Sequence, residues 1–309
     1  MSIQNITKIF ENLNNCKSCS LQLLNISSTK KEGVNYASRE IGLFPSECFS
    51  NLLEEIGDTY LYSKTKALSI YQEVREYDGT TNSLTIYKMS TDDPLISDEY
   101  QKLLSAIANP NVESDPFSYT SAYLIKGTID LEGKDIAFKM FSIQNPITTL
   151  RNKYSLNKGH FYEMHYQVLS LRPTFDIVVV DKTVYFLTMA GENLFNMSRA
   201  YKKVCQTKID LIIQNDIVND TGMFSTVATS GHNSRRFISF NDKGLNILKD
   251  EAKRISIATQ FSIPIDINGK FDTTVDGASE KIVKLLCNKG MLEPFGNNAV
   301  EVDSAKRWA

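Results

Sequence analysis

Three short stretches of this sequence combine residue types that carry chemistry in other proteins. The first is Cys16-Lys17-Ser18-Cys19, a C-x-x-C pair. A structural zinc needs four ligands, and neither a second cysteine pair nor a His-x-x-x-His follows at a useful spacing. The expectation is therefore two ordinary thiols and no metal site. The second is His160-Phe161-Tyr162-Glu163-Met164-His165. On a strand its two histidines point to opposite faces, and on a helix a five-residue gap chelates poorly, so a structural histidine pair is expected. The third is Glu132-Gly133-Lys134, with Asp115 or Asp130 upstream. It imitates the acidic-x-Lys signature of magnesium-dependent nucleases, in which carboxylates hold the metal and the lysine steadies a developing charge. A tight hairpin also wants glycine at such a place, and that is the reading favoured here. The chain contains no G-x-S-x-G, no H-E-x-x-H and no G-x-x-x-x-G-K-[ST], so no catalytic residue and no cofactor is predicted.

A different chemistry, attraction to phosphate, needs only summed positive charge. The residues expected to supply it are Arg235, Arg236, Lys249, Lys253, Arg254, Lys281 and Lys284. Arg254 stands apart because Asp250, one turn away, can occupy it. The bland alternative is that these are the solvated faces of amphipathic helices.

Several elements must position these residues. Residues 175–196, FDIVVVDKTVYFLTMAGENLFN, begin as an apolar strand, turn at Asp181-Lys182, run back and open into a helix. In GENLFNMSRAYKKVC, Leu194, Met197, Tyr201 and Val204 share one helical face, which leaves Arg199, Lys202 and Lys203 on the other. GLNILKDEAKRISIATQF reads as a helix burying Leu245, Leu248, Ala252 and Ile255, with Lys249 and Lys253 on its exposed flank. ATSGHNSRRFISF reads as a Gly/Ser/Asn-rich loop ending in Arg235-Arg236. SEKIVKLLCNKG reads as a helix burying Ile282, Val283, Leu285 and Leu286. Gly290 is placed at its C-cap, and Lys281, Lys284 and Lys289 on its polar side. MLEPFGNNAVEV reads as a hairpin turning near Gly296-Asn297.

Upstream, the first sixty residues read as short helices and loops. They include ECFSNLLEEIG, a helix with Phe49, Leu52, Leu53 and Ile56 on one face that Gly57 can end. LSIYQEVREYDGTTNSLTIYKM reads as two strands around Asp78-Gly79, and SDEYQKLLSAIANP as a helix stopped by Pro110. SAYLIKGTIDLEGKDIAFKMFSI reads as a hairpin turned at Glu132-Gly133. The polar stretch NPITTLRNKYSLNKG marks the expected division into residues 1–150, an α+β region for partner and oligomer contacts, and residues 151–309, an α+β region with basic faces. The fold class is α+β, with mixed hairpins and helices and largely antiparallel sheets.

At 309 residues, 42% hydrophobic and 23% charged, the composition is that of a globular chain. No apolar run approaches the ~18 residues of a membrane span. The start carries no basic-then-apolar signal. Five widely spread cysteines suit reduced thiols and a cytoplasmic setting. Residues 1–150 carry 13 Lys+Arg against 19 Asp+Glu, a net of −6, and residues 151–309 carry 21 against 17, a net of +4. That asymmetry favours an anionic partner for the second half.

Three stretches of that half carry a likeness. They are FDIVVVDKTVYFL with ENLF, RRFISF with its helix and IPIDINGK, and LLCNKGMLEPFGNNAVEVDSAKRW. Together they resemble the KwaB-like family, named for the cytosolic subunit of the Kiwa anti-phage defence system. The likeness covers roughly residues 150–309, with a looser match in order of elements from about 60. Its motifs are packing and turn motifs, and no catalytic residue is carried over from them. The resemblance implies a cytoplasmic, self-associating protein recruited to the inner membrane by a separate multi-span partner. It also implies binding of double-stranded DNA with little sequence preference, obstructing phage replication or transcription without cutting.

Overall fold

The structure is a computed structural model that describes residues 4–29, 33–42, 46–62, 70–77, 85–110, 120–148, 153–164, 168–292 and 299–301. It is α+β, as the sequence predicts. The chain forms two compact units, Met1–Gln72 with Thr81–Asn196, and Glu73–Thr80 with Met197–Ala309.

The first unit is built on one eight-stranded sheet. Its strands are β1 (Lys17–Thr29), β2 (Gly33–Glu40), β3 (Ile70–Glu73), β4 (Thr85–Ser90), β5 (Thr120–Leu131), β6 (Lys134–Ser142), β11 (Ile177–Val180) and β12 (Thr183–Phe186). Between β6 and β11 the chain forms β7 (Ile147–Thr148), β8 (Lys153–Asn157), β9 (His160–Met164) and β10 (Val168–Leu169). The sheet order is β2-β1-β5-β6-β11-β12-β4-β3, and every pairing whose register is described is antiparallel.

Both faces of the sheet are covered, so its central strands read as apolar runs, as in Ile177–Val180 where all four residues are buried. One face carries Leu21, Leu23, Tyr123, Ile125, Phe138, Met140, Val178 and Val180. It packs with Ile6, Ile9 and Phe10 of α1 (Gln4–Glu11) and Leu53, Ile56 and Tyr60 of α2 (Ser46–Tyr60). On the other face Gln22 donates to the carbonyl of Ile107 in α3 (Ser97–Ala108). Gly191 there sits so close to Ile177 and Phe186 that a Cβ would collide with both.

Two expected turns are present. Glu132 (φ 57°) and Gly133 (φ 79°) close the β5–β6 hairpin, and Asp181 (φ 52°) begins the two-residue turn between β11 and β12. Other expectations change. The first sixty residues contain β1 and β2, two long strands, instead of only short helices and loops. Ser, Asn and Gln break their apolar pattern, and pairing with β5 is what stabilises them. Gly57 does not end α2, which runs on to Tyr60. It lets α2 approach the Phe10 carbonyl, 2.8 Å from where a Cβ would lie.

The division also falls elsewhere than at residue 150. The polar stretch expected there contributes β7, paired with β10, and β8, paired with β9, while β11 and β12 pair into the sheet of the first unit, so that unit continues to Asn196. The turns expected at Asp78-Gly79 and Gly296-Asn297 lie outside the described residues.

The second unit is mainly helical: α4 (Met197–Gln214), α5 (Thr221–Ala228), α6 (Gly231–Arg236), α7 (Asp242–Leu248), α8 (Glu251–Gln260) and α9 (Ala278–Leu286), followed by the strand pair β13 (Gly290–Leu292) and β14 (Ala299–Glu301). Its core joins Cys205, Ile209 and Ile212 of α4, Phe224 of α5, Phe237, Leu245 and Leu248, Ala258, and Ile282, Val283 and Leu286 of α9. Among the described residues no helix is long and apolar enough to cross a membrane.

Candidate nucleic-acid interface

The cationic surfaces depend on how each helix is phased, and the phases differ from a simple reading in three places. Residues 189–196 are not the start of α4. Met189–Phe195 is a 3-10 turn, and Asn196 (φ 48°) ends it in the left-handed conformation before α4 begins at Met197. From there Met197, Tyr201, Cys205, Ile209 and Ile212 face the core, and Val204 is only half-buried. Arg199, Lys202 and Lys203 are exposed on the opposite face, as the spacing predicts.

The stretch 244–261 is two helices. Asp250 takes an extended conformation, and its carboxylate accepts a hydrogen bond from the Lys253 backbone N–H at 3.1 Å, an N-cap that opens α8. The break resets the helical phase. Leu245 and Leu248 stay in the core, whereas Ala252 and Ile255, expected inside, are exposed, and Arg254 and Ala258 turn inward.

Arg254 is thus removed from the candidate surface. At 6% exposure, its Nε donates to the Gly269 carbonyl at 2.6 Å and its Nη1 to the Leu248 carbonyl at 2.8 Å. A cation at the carboxyl end of α7 also opposes the partial negative charge there. Asp250 does not occupy it, being engaged as the cap.

Arg235 and Arg236 lie on α6, a short helix where the sequence suggests a loop. Burial of Phe237 and a bond from the Asn233 side chain to the Val227 carbonyl (3.1 Å) hold it. Both arginines are half-buried. The Arg235 guanidinium lies over the ring of Tyr77, 4.2 Å from its centroid, and 5.1 Å from that of Tyr201. Arg236 donates to Asn233 at 2.9 Å. Burial pushes the Cys287 thiol up to about 12, against a smaller opposing pull from Arg236.

The remaining four candidates divide further. Lys249 is exposed. Lys253 is exposed 3.8 Å from Asp250. On α9, Lys281 is exposed and donates to the Ser262 carbonyl at 2.9 Å, while Lys284 is half-buried. Lys289, expected on the polar side, is buried at 7% exposure, Leu285 is only half-buried, and Asn288 (φ 57°), not Gly290, takes the left-handed position after the helix.

Other cations of this unit are neutralised locally. Lys208 pairs with Asp242 at 2.7 Å and sits 5.0 Å over Phe240, and Lys270 pairs with Asp216 at 2.6 Å. Over its own boundaries the second unit carries 17 Lys+Arg against 16 Asp+Glu, a net of +1. The acidic segment Glu73–Thr80, one arginine against three carboxylates, offsets half of the +4 seen in residues 151–309. Any polyanion attraction must therefore come from local faces. Arg199, Lys202 and Lys203 form such a face within little more than one turn of α4. None of the three has a carboxylate partner among the described residues.

The carboxylates of the β5–β6 turn are otherwise employed. Asp130 accepts the Gly133 N–H at 2.9 Å and pairs with Lys17 at 3.3 Å, and Asp135 pairs with Lys17 at 3.1 Å. Lys8 pairs with Glu132 and holds its carboxyl below the usual range. Among the described residues no group of three or more His, Cys, Asp or Glu side chains could hold a metal ion. His160 is exposed at the start of β9, and Asp115 and His165 lie outside the described residues.

A family model described as "Kiwa protein KwaB-like" matches residues 118–291, more than half of the chain. The match includes the β5–β6 hairpin, upstream of the stretches in which the sequence likeness is concentrated, and closes within β13. No curated protein and no solved structure matches the chain. The chain belongs to the Kiwa protein KwaB-like family, which places it in Kiwa anti-phage defence.

Proposed function

We propose that this protein is the DNA-binding subunit of a Kiwa-type assembly, holding double-stranded DNA by summed charge and obstructing its replication or transcription without cutting it. Family membership supports the defence role. The observation that carries the DNA reading is the exposed face of Arg199, Lys202 and Lys203, three cations that pair with no carboxylate among the described residues. Lys249, Lys253 and Lys281 add exposed positive charge on other elements. Contacts of this kind grip phosphate by counterion release and read no sequence. In the same proposal the protein self-associates and is brought to the inner face of the membrane by a separate multi-span subunit.

A gel shift with random-sequence duplex at two salt concentrations, with and without magnesium, tests the reading. A shift that weakens steeply with salt and leaves the DNA intact supports it. Degradation only with magnesium replaces it with a nuclease, and no shift at low salt leaves a protein-interaction subunit.

A further inference from the structure

Cys16 and Cys19 are brought together by an irregularity in β1. Leu21 and Leu23 face the core covered by α1 and α2, so strict alternation puts Cys19 on that face and Cys16 on the other. The register breaks between them. Lys17 pairs with Thr128 and Ser20 with Lys126, so three steps on β1 oppose two on β5. Ser18 absorbs the extra residue in the left-handed region, at φ 53°. The bulge returns Cys16 to the core face, and both cysteines pack against the same apolar cluster.

Both sulfurs sit over Gly127 of β5. A Cβ built there would overlap Cys16 Sγ and lie 2.9 Å from Cys19 Sγ, so only glycine leaves room for the pair. Both thiols are free and partly exposed, open to a small reagent. The neighbouring Cys19 thiol pulls the Cys16 pKa below the ordinary thiol value, and Cys16, with burial, raises that of Cys19. That asymmetry divides the roles of attacking and resolving thiol.

We propose that Cys16 and Cys19 are a redox-active dithiol that closes to an intramolecular disulfide across the β1 bulge, with a hydroperoxide as oxidant. The Cys16 thiolate attacks the terminal peroxide oxygen, the O–O bond breaks, and the alkoxide or hydroxide leaves and takes a proton. Cys16 is then a sulfenic acid. The Cys19 sulfur attacks the Cys16 sulfur, the S–O bond breaks, and the departing hydroxyl takes the Cys19 proton to leave as water. Two thiols are oxidised to one disulfide while the peroxide is reduced to an alcohol and water, or to two waters. A dithiol reductant reverses the change by exchange.

The test uses the fully reduced full-length protein with hydrogen peroxide, read by intact mass, thiol titration and peptide mapping. The expected result is a loss of two hydrogens and of two titratable thiols, mapped to a Cys16–Cys19 link and restored by a dithiol. Cys16→Ser and Cys19→Ser abolish the loss, and Cys48→Ser, which removes an exposed cysteine elsewhere, retains it. Gly127→Ala, folded by circular dichroism, slows closure. The proposal is overturned if Cys16 gains oxygen while Cys19 stays free, if the link maps to another pair, or if neither thiol reacts.

Discussion

Lys126 of β5 and Lys139 of β6 stand directly opposite each other in the sheet, both half-buried, and neither is bonded to a carboxylate among the described residues. Burial first, and Lys126 second, lower the Lys139 pKa from the ordinary lysine value. Like charges opposed across a ladder cost roughly 0.2–1 kcal/mol. Lys139→Met therefore raises the melting temperature near pH 7 by about 1–3 °C. The sign with pH follows. A lysine whose folded pKa is depressed penalises the fold while protonated, and the penalty is relieved as pH rises through that lowered pKa towards the unfolded value of about 10.4. The advantage of Lys139→Met shrinks over that alkaline window, and a thermal series from pH 7 to 10.5 measures it.

Charge reversal on α4, Arg199→Glu with Lys202→Glu and Lys203→Glu, weakens DNA binding sharply and leaves the melting temperature within about 2 °C, because all three side chains are in solvent. The log–log salt slope falls by about 0.9 for each phosphate contact removed. Lys249→Glu with Lys253→Glu tests the second exposed pair in the same assay. An unchanged slope in both variants would show that DNA, if bound, is held elsewhere.

Arg254→Met separates structure from binding. It strands the Gly269 and Leu248 carbonyls, which Arg254 satisfies at 2.6 and 2.8 Å, at a cost of about 2–5 kcal/mol. Chemical denaturation reads the loss. Affinity for DNA, measured where the variant is folded, stays at the wild-type level. Arg235 and Arg236 are poor mapping positions for a related reason. Glu at Arg235 would face the rings of Tyr77 and Tyr201, and Glu at Arg236 would lose the bond to Asn233.

Gly57→Ala destabilises the first unit although alanine is the better helix former by about 1 kcal/mol. The new methyl would meet the Phe10 carbonyl oxygen at 2.8 Å, and a backbone atom cannot rotate aside. Displacing α1 from α2 costs about 1–3 kcal/mol, seen as a lower denaturation midpoint.

Asp250→Ala removes the cap that separates α7 from α8 and costs about 1 kcal/mol. Asp250→Asn retains an acceptor oxygen and recovers most of it, which distinguishes the cap from the 3.8 Å ion pair with Lys253.

Local pattern alone determined the α+β class, the hairpin turns at Glu132-Gly133 and Asp181-Lys182, the helix of α3 and the cationic side of α4. Each depends on neighbours a few residues apart, through turn geometry or helical period. The family likeness was legible for the same reason, since its motifs are strands, turns and helix stripes. Tertiary structure decided the rest. β1 and β2 exist because β5 supplies a hydrogen-bonding edge about a hundred residues away, and no periodicity within 17–40 announces it. The unit boundary moved to Asn196 because β11 and β12 found their partners in β6 and β4. Arg254 became a buried bolt because one cap at Asp250 rotated every side chain after it. Cys16 met Cys19 because the β1 bulge cancelled the alternation that should have parted them. Short-range order follows from torsions and spacing. Which charges remain in solvent, and which side chains meet, follows from contacts between residues distant in sequence.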